Sequence, residues 1–297
     1  MTADERFEIE RYVYEKRIDR ECMPPRDHLA PAVLRQGGFG SLVRSIRPAL
    51  ADRCRRLALD RQPVPIETQF RLYTGLWAVH NRLRYEVPTS PWTTIEVDPA
   101  EVTHYVGNVE LPWGLGRVHG GDWDRRSDRN RIDELPRYRG VVQHFNEGLG
   151  WEKTDYYEHL QERYADHDGP LPRGYDDFDS FWWNRREAHE RLYRSVRDEG
   201  YRSNTTVDRD PETWGEFVHS LEPLVVVGRD GEVLWNEGFG RLIVAKLLGV
   251  ESMPVYVLCR HERWQRVRER LHGTGCESWS PALEQHRDHP DMPAAAR

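Results

Sequence analysis

One run of residues restricts the fold more than any other. Leu224-Val225-Val226-Val227 leads into Gly228-Arg229-Asp230-Gly231, then into Val233-Leu234-Trp235-Asn236-Glu237 and the glycine corner Gly238-Phe239-Gly240-Arg241. Asp-Gly between two apolar β-branched runs is a hairpin signal, so strands are expected at 221–228 and 233–237. The segment 239–248 is apolar nearly all round, so its helix must be covered on more than one side. A last apolar strand follows from Met253 to Cys259. Strands joined both by a tight turn and through a buried helix imply an α+β fold with a small mixed sheet and packed helices.

Upstream, helical spacing or charge predicts helices at 4–21, 42–60 and 67–84, forming a helical N-terminal region over residues 1–90. In the third, Phe70, Leu72, Tyr73, Leu76, Trp77, Val79 and Leu83 supply the apolar residues. Pro88 and Pro91 mark a boundary, and a domain is expected over 91–272. It opens with a strand at Thr94–Val97 and a second at Arg117–Gly120. A helical insertion at about 131–180 carries helices at 133–147 and 154–165. A further helix, from Phe181 to Glu199, stops at Gly200. His261 to Leu271 reads as a closing helix, and residues 273–297 as a loose tail.

Charge narrows the function classes. The formal net charge is −7, and the Arg clusters at 53–56 and 125–131 are interrupted or flanked by Asp and Glu, so nucleic acid is not an expected partner. Cys22, Cys54, Cys259 and Cys276 show no zinc or disulfide spacing. No run approaches the ~18 apolar residues of a membrane span. The charged N-terminus lacks a signal-peptide core, so a cytoplasmic location is expected.

The chemistry-bearing residues fall in two clusters. Gly238 and Gly240 let main-chain N–H groups approach a ligand at a helix start, with Phe239 between them and Arg241 beside them to pair with its oxygens. Glu237 can take a hydroxyl proton, hold Mg²⁺ or orient Arg241. The alternative is a corner shaped for strand–helix packing, with both charges in ion pairs. In His119-Gly120-Gly121-Asp122-Trp123-Asp124, the two carboxylates share a face if the chain is extended. They then suit a base role (Asp124 first, with Asp122) and a metal role for Asp122 with Glu237. The alternative is a turn capped by Asp, with Trp123 in the core. Ser195 is a further candidate for lining the pocket, and Trp182 and Trp183 are expected core residues.

Residues 195–258 resemble the ParB/sulfiredoxin-like superfamily. The likeness rests on Ser195 to Tyr201, Gly238-Phe239-Gly240-Arg241, Leu242, Ala245, Leu248-Gly249 and Pro254-Val255-Tyr256-Val257, with a weaker match at Ile95-Glu96-Val97-Asp98-Pro99. The layout is similar to ParB-like proteins of haloarchaeal type that also carry Gly-Asp-Trp-Asp and His-Glu-x-Trp-Gln, here Gly121 to Asp124 and His261 to Gln265. The resemblance implies a nucleotide (ATP, ADP or CTP) with Mg²⁺, and phosphoryl transfer to a small hydroxylated acceptor. A rival class is a non-enzymatic interaction or nucleotide-switch module, with the N-terminal helices as the protein-partner surface. Two departures matter. Gly240 stands where the family has His, and Phe239 where sulfiredoxins have Cys, so sulfinic acid repair is excluded.

Overall fold

A computed structural model describes residues 66–167, 169, 171–172, 174–204, 214–273 and 281–292. The helices expected at 4–21 and 42–60, and a partner surface on them, lie outside the described residues. The chain divides into compact units at 1–69 and 70–297, and nearly all described residues belong to the second.

In chain order the elements are α1 (Ile66–Arg84), β1 (Thr94–Val97), β2 (His104–Tyr105), β3 (Arg117–His119), β4 (Asn130–Arg131), α2 (Pro136–Phe145), α3 (Asp155–Tyr164), α4 (Phe178–Glu199), α5 (Trp214–Ser220), β5 (Leu224–Val227), β6 (Val233–Glu237), α6 (Phe239–Leu247), β7 (Met253–His261), α7 (Glu262–Gly273) and α8 (Pro281–Glu284). Among the described residues the strands make one seven-stranded mixed sheet, ordered β1-β7-β5-β6-β2-β4, with β3 also on β7. The long strand β7 uses one edge twice: Met253–Tyr256 pair antiparallel with β1, and Cys259–His261 pair parallel with β3. Its other edge pairs parallel with β5, which pairs antiparallel with β6. A mixed α+β architecture therefore follows, as the hairpin and the apolar helix require.

Every residue of β5 is buried, as expected of a central strand covered on both faces. α6 explains its all-round apolarity by joining two cores. Leu242 and Ala245 pack with Val225, Trp235 and Val257 on the sheet, while Ile243 packs with Val141 of α2, Trp151 between α2 and α3, and Phe181 and Trp182 of α4. Each fully buried Leu or Ile contributes roughly 1.5–3 kcal/mol. Trp182 is a core residue as expected, but Trp183 is 51% exposed. In the β5–β6 turn, Gly231 has φ +88° and lies flat against the Trp264 ring; an added Cβ would sit 2.5 Å from it.

Two boundaries differ from the sequence reading. From Phe70 onward α1 belongs with the sheet domain rather than with a separate region ending at 90. Asn81 Nδ2 donates to the Thr89 hydroxyl (2.9 Å) and the Gly116 carbonyl (2.7 Å), and the Leu115 N–H donates to Thr74 Oγ1 (3.0 Å). The polar residues Thr74 and Asn81 mark the inner face, whereas Leu72, Leu76, Val79 and Leu83 are exposed. The tail is not loose at 286–292. Asp291 is buried and accepts from Arg260 Nε (3.0 Å) and Trp264 Nε1 (2.8 Å), and its carbonyl accepts from Arg268 Nε (2.9 Å). Burial alone would raise the Asp291 carboxyl, but the neighbouring Arg260 and Arg268 outweigh it and hold the group at about 2.

Candidate functional site

The β6-to-α6 corner is built by one left-handed residue. Gly238 has φ +85° and is the N-cap of α6, with no side chain to cap the helix; Pro223 packs where a Cβ would stand, 3.0 Å away. The N–H groups of Arg241 and Leu242 bond to the Gly238 carbonyl at 3.1 and 3.3 Å. Those of Phe239 and Gly240 find no acceptor among the described residues, and they lie at the positive end of the helix dipole. The Phe239 ring packs edge-on to Tyr105, so this residue offers the site its amide alone.

Arg241 is the third residue of α6, with its side chain 16% exposed. Its Nη1 is 3.7 Å from Glu222 Oε2; neither Nη1 nor the neighbouring Tyr201 hydroxyl has a well-formed hydrogen bond among the described residues, although the guanidinium and the hydroxyl attract each other. Orphaned polar atoms of this kind are uncommon inside proteins and mark a place for a further group. Burial lowers the Arg241 guanidinium from its ordinary value, with Tyr201 and Glu222 opposing, and burial pushes Tyr201 up to about 12. Glu237 at the end of β6 adds a smaller attraction for Arg241.

A second guanidinium, unforeseen from sequence, reaches the corner from α2. Arg137 Nη2 lies 3.3 Å from where a Gly240 Cβ would be, and Leu192 of α4 lies 3.7 Å away. Arg137 Nε donates to His189 Nε2 (3.1 Å), so the ring proton sits on Nδ1 and donates to the Arg185 carbonyl (2.8 Å). Burial lowers His189 to about 3, with Arg137 adding to the shift. No periodicity or motif announces this contact, because it arises from the packing of α2 and α4 around α6. Ser195 does not take the expected place. It is exposed on α4, and Leu192, one turn earlier, makes the approach to Gly240.

The carboxylates expected beside this corner are elsewhere. Asp124 accepts from the Arg229 N–H, from Arg229 Nε (3.0 Å) and from Arg229 Nη2 (2.6 Å), at the turn between β5 and β6. From Glu232, level with that turn, to Gly238 is six residues of strand, about 20 Å. Asp122 and Asp124 therefore meet each other and Arg229, not Gly238–Arg241. The same spacing separates Asp122 from Glu237, so these two do not share a metal, and Mg²⁺ does not fit the residues named for it. Among the described residues no group of three or more His, Cys, Asp or Glu could hold a metal ion.

Asp124 is also unsuited to be a base. It is fully buried; burial alone would raise its carboxyl, but the Arg229 hydrogen bonds outweigh it and leave it lowered. Asp122 is lowered too, chiefly by Arg229 and then Arg125. His261 closes this cluster. Its Nδ1 accepts from the Arg263 N–H (3.0 Å), capping α7, so the Nε2 proton donates to the Gly121 carbonyl (3.0 Å). The Gly121–Asp124 segment is thus a clamp between the β5–β6 turn and the end of β7.

Among the described residues no helix is long and apolar enough to cross a membrane. No protein-family model matches the chain, and comparisons with curated proteins and with solved structures gave no match.

Proposed function

We propose that this chain is a phosphate-recognising protein that holds a nucleotide (ATP, ADP or CTP) or another phosphorylated small molecule at the start of α6 and does not transfer the phosphate. One observation carries the reading. Two unbonded helix amides, Phe239 and Gly240, lie beside a buried Arg241 whose Nη1 lacks a hydrogen bond, with Arg137 at the same corner. Phosphate oxygens would satisfy all of these donors. The binding alternative gains over phosphoryl transfer because Asp122 and Asp124 are engaged by Arg229 at the far end of the hairpin. Any Mg²⁺ would then arrive with the nucleotide's own phosphates.

Calorimetry of the full chain with ATP, ADP and CTP, with and without Mg²⁺, tests this. Saturable binding that weakens about tenfold or more in Arg241→Ala is expected. Absence of binding, or equal binding by Arg241→Ala, removes the proposal, and a phosphorylated product seen by phosphorus NMR would overturn its non-catalytic part.

A further inference from the structure

Residues 281–292 lie against α7 and the β5–β6 turn as a strap. Met292 is buried in the sheet core, and Leu283 packs against the same cluster. The His286 and His289 rings pack on Trp264, with centroids 5.1 and 4.4 Å away. The Asp291 carboxylate is bonded by Arg260 and by the Trp264 indole. None of these contacts belongs to the α6 corner.

His289 is the joint in this strap that depends on a proton. Its Nδ1 accepts from the Asp291 N–H at 3.0 Å, so Nδ1 carries no hydrogen. The ring proton is therefore on Nε2 and donates to the Gly231 carbonyl at 2.6 Å. Both ring nitrogens are committed, and only the neutral ring in this tautomer satisfies both bonds. A second proton would go onto Nδ1 and set donor against donor. The Asp291 N–H would lose its acceptor.

The surroundings do not relieve that conflict. Burial lowers His289 from its ordinary value; Asp291 and the Gly231 carbonyl oppose the shift, while His286 of the strap and Arg268 of α7 add to it. Across the cavity beside the turn, Arg229 is paired with Asp124, Arg129 with Glu232 and Arg125 with Asp122, and the remaining Arg126 and Asp230 are of opposite sign. Asp291 itself is held at about 2, so it keeps its charge while His289 titrates.

We propose that residues 281–292 form an acid-released strap: protonation of His289 frees the segment from α7 and the β5–β6 turn while the sheet stays folded. Release brings Arg260, Arg268 and Asp291 into water together, so no buried charge is left without its partner. It uncovers Trp264, which is fully buried in the closed form. The hold given by neutral His289 is complete above pH 6.5 and declines as pH falls below it.

Hydrogen exchange of the full chain, followed by mass spectrometry at pH 7.5 and 5.0 and corrected for the intrinsic rate, tests this. Peptides from 286–292 should lose protection severalfold at pH 5.0, with a ceiling of about thirtyfold for one proton taken up over about 1.5 pH units. Peptides from β5 and β7 should keep their protection. His289→Gln retains a donor and an acceptor but takes no proton, so its strap should stay protected at pH 5.0. The loss should persist in His189→Gln, whose change lies at the other end of the hairpin. A strap that stays protected in the parent chain, equal losses in parent and His289→Gln, or equal losses in β5, β7 and the strap would each overturn the proposal. Should His289→Gln open the strap at pH 7.5 by itself, the NMR signal of the parent's His289 ring decides. It must titrate in step with exchange of 286–292, and titration without release overturns the proposal.

Discussion

The two ends of the β5–β6 hairpin use the same residue types in opposite ways. At the turn end, Arg229 meets Asp122 and Asp124, and its main-chain N–H is bonded to Asp124 as well. At the corner end, Arg241 has one acid at 3.7 Å, a nitrogen without a hydrogen bond, and two unbonded amides beside it. A buried charge whose donors are all matched fixes the structure around it. One left short of acceptors, at a cost in desolvation, is poised for an anion from outside. Composition does not separate the two cases; the count of satisfied donors does.

The largest effect should come from the saturated end. Asp124→Ala would leave Arg229 without its main partner and release the 121–124 segment from the turn. Removing one member of a buried pair typically costs about 3–5 kcal/mol. Urea unfolding should show a loss of that order, with nucleotide binding at α6 retained in whatever fraction is folded. A loss below about 1 kcal/mol would mean that the turn end is not the anchor described here.

Acid should then separate the two ends. His189, which holds Arg137 at the corner, is lowered to about 3 against an ordinary 6.5, chiefly by burial. The unfolded chain therefore takes up this proton first. The stability contributed by neutral His189 is complete above pH 6.5 and is lost as pH falls from there toward 3, by up to about 1.4 kcal/mol per pH unit. Asp124 is lowered from 3.8, so its contribution is complete above that value and declines only below it. Hydrogen exchange between pH 6.5 and 4.5 should show α6 and α4 amides losing protection, while His289, lowered by burial and bonded to the Gly231 carbonyl, adds its own loss at the β5–β6 turn. His189→Gln should flatten the pH dependence at the corner and leave that of the turn as it was; an unchanged corner would contradict the assignment.

Much of the scaffold was legible because its signals are local. Asp230-Gly231 fixes a turn, and the flanking apolar runs fix β5 and β6. The apolarity of α6 on all sides foretold its two cores. The strands β2 and β4 have two residues each, too short for any alternation to register. The exposed Leu72-Leu76-Val79-Leu83 row carries the same helical spacing as a buried face, so periodicity alone could not tell which side of α1 turns inward. The site was legible only where it is contiguous. Gly238 to Arg241 follow one another in sequence, so the glycine turn that opens α6 can be read from them. Whether Asp124 reaches it depends on which end of a hairpin a loop 105 residues upstream of Arg229 lands on, and no local pattern encodes that. Arg137 was missed for the same reason.

The smallest effect, and the sharpest within one end, separates Gly238 from Gly240. Gly238 has φ +85°, and a Cβ there would meet the Pro223 side chain at 3.0 Å and its Cα at 3.1 Å. Gly238→Ala should therefore cost about 1–2 kcal/mol from the left-handed conformation, before any contact strain. Gly240 is helical, and a Cβ there would meet the tip of Arg137 at 3.3 Å and Leu192 at 3.7 Å. The guanidinium can swing aside, and alanine favours a helix over glycine by up to about 1 kcal/mol, so Gly240→Ala should keep or slightly raise stability. The added methyl would nevertheless stand between Arg137 and the unbonded amides, so nucleotide affinity should fall while the melting temperature does not. If Gly240→Ala binds as well as the parent chain, Arg137 takes no part in holding the ligand, and the corner depends on Arg241 and the helix start alone.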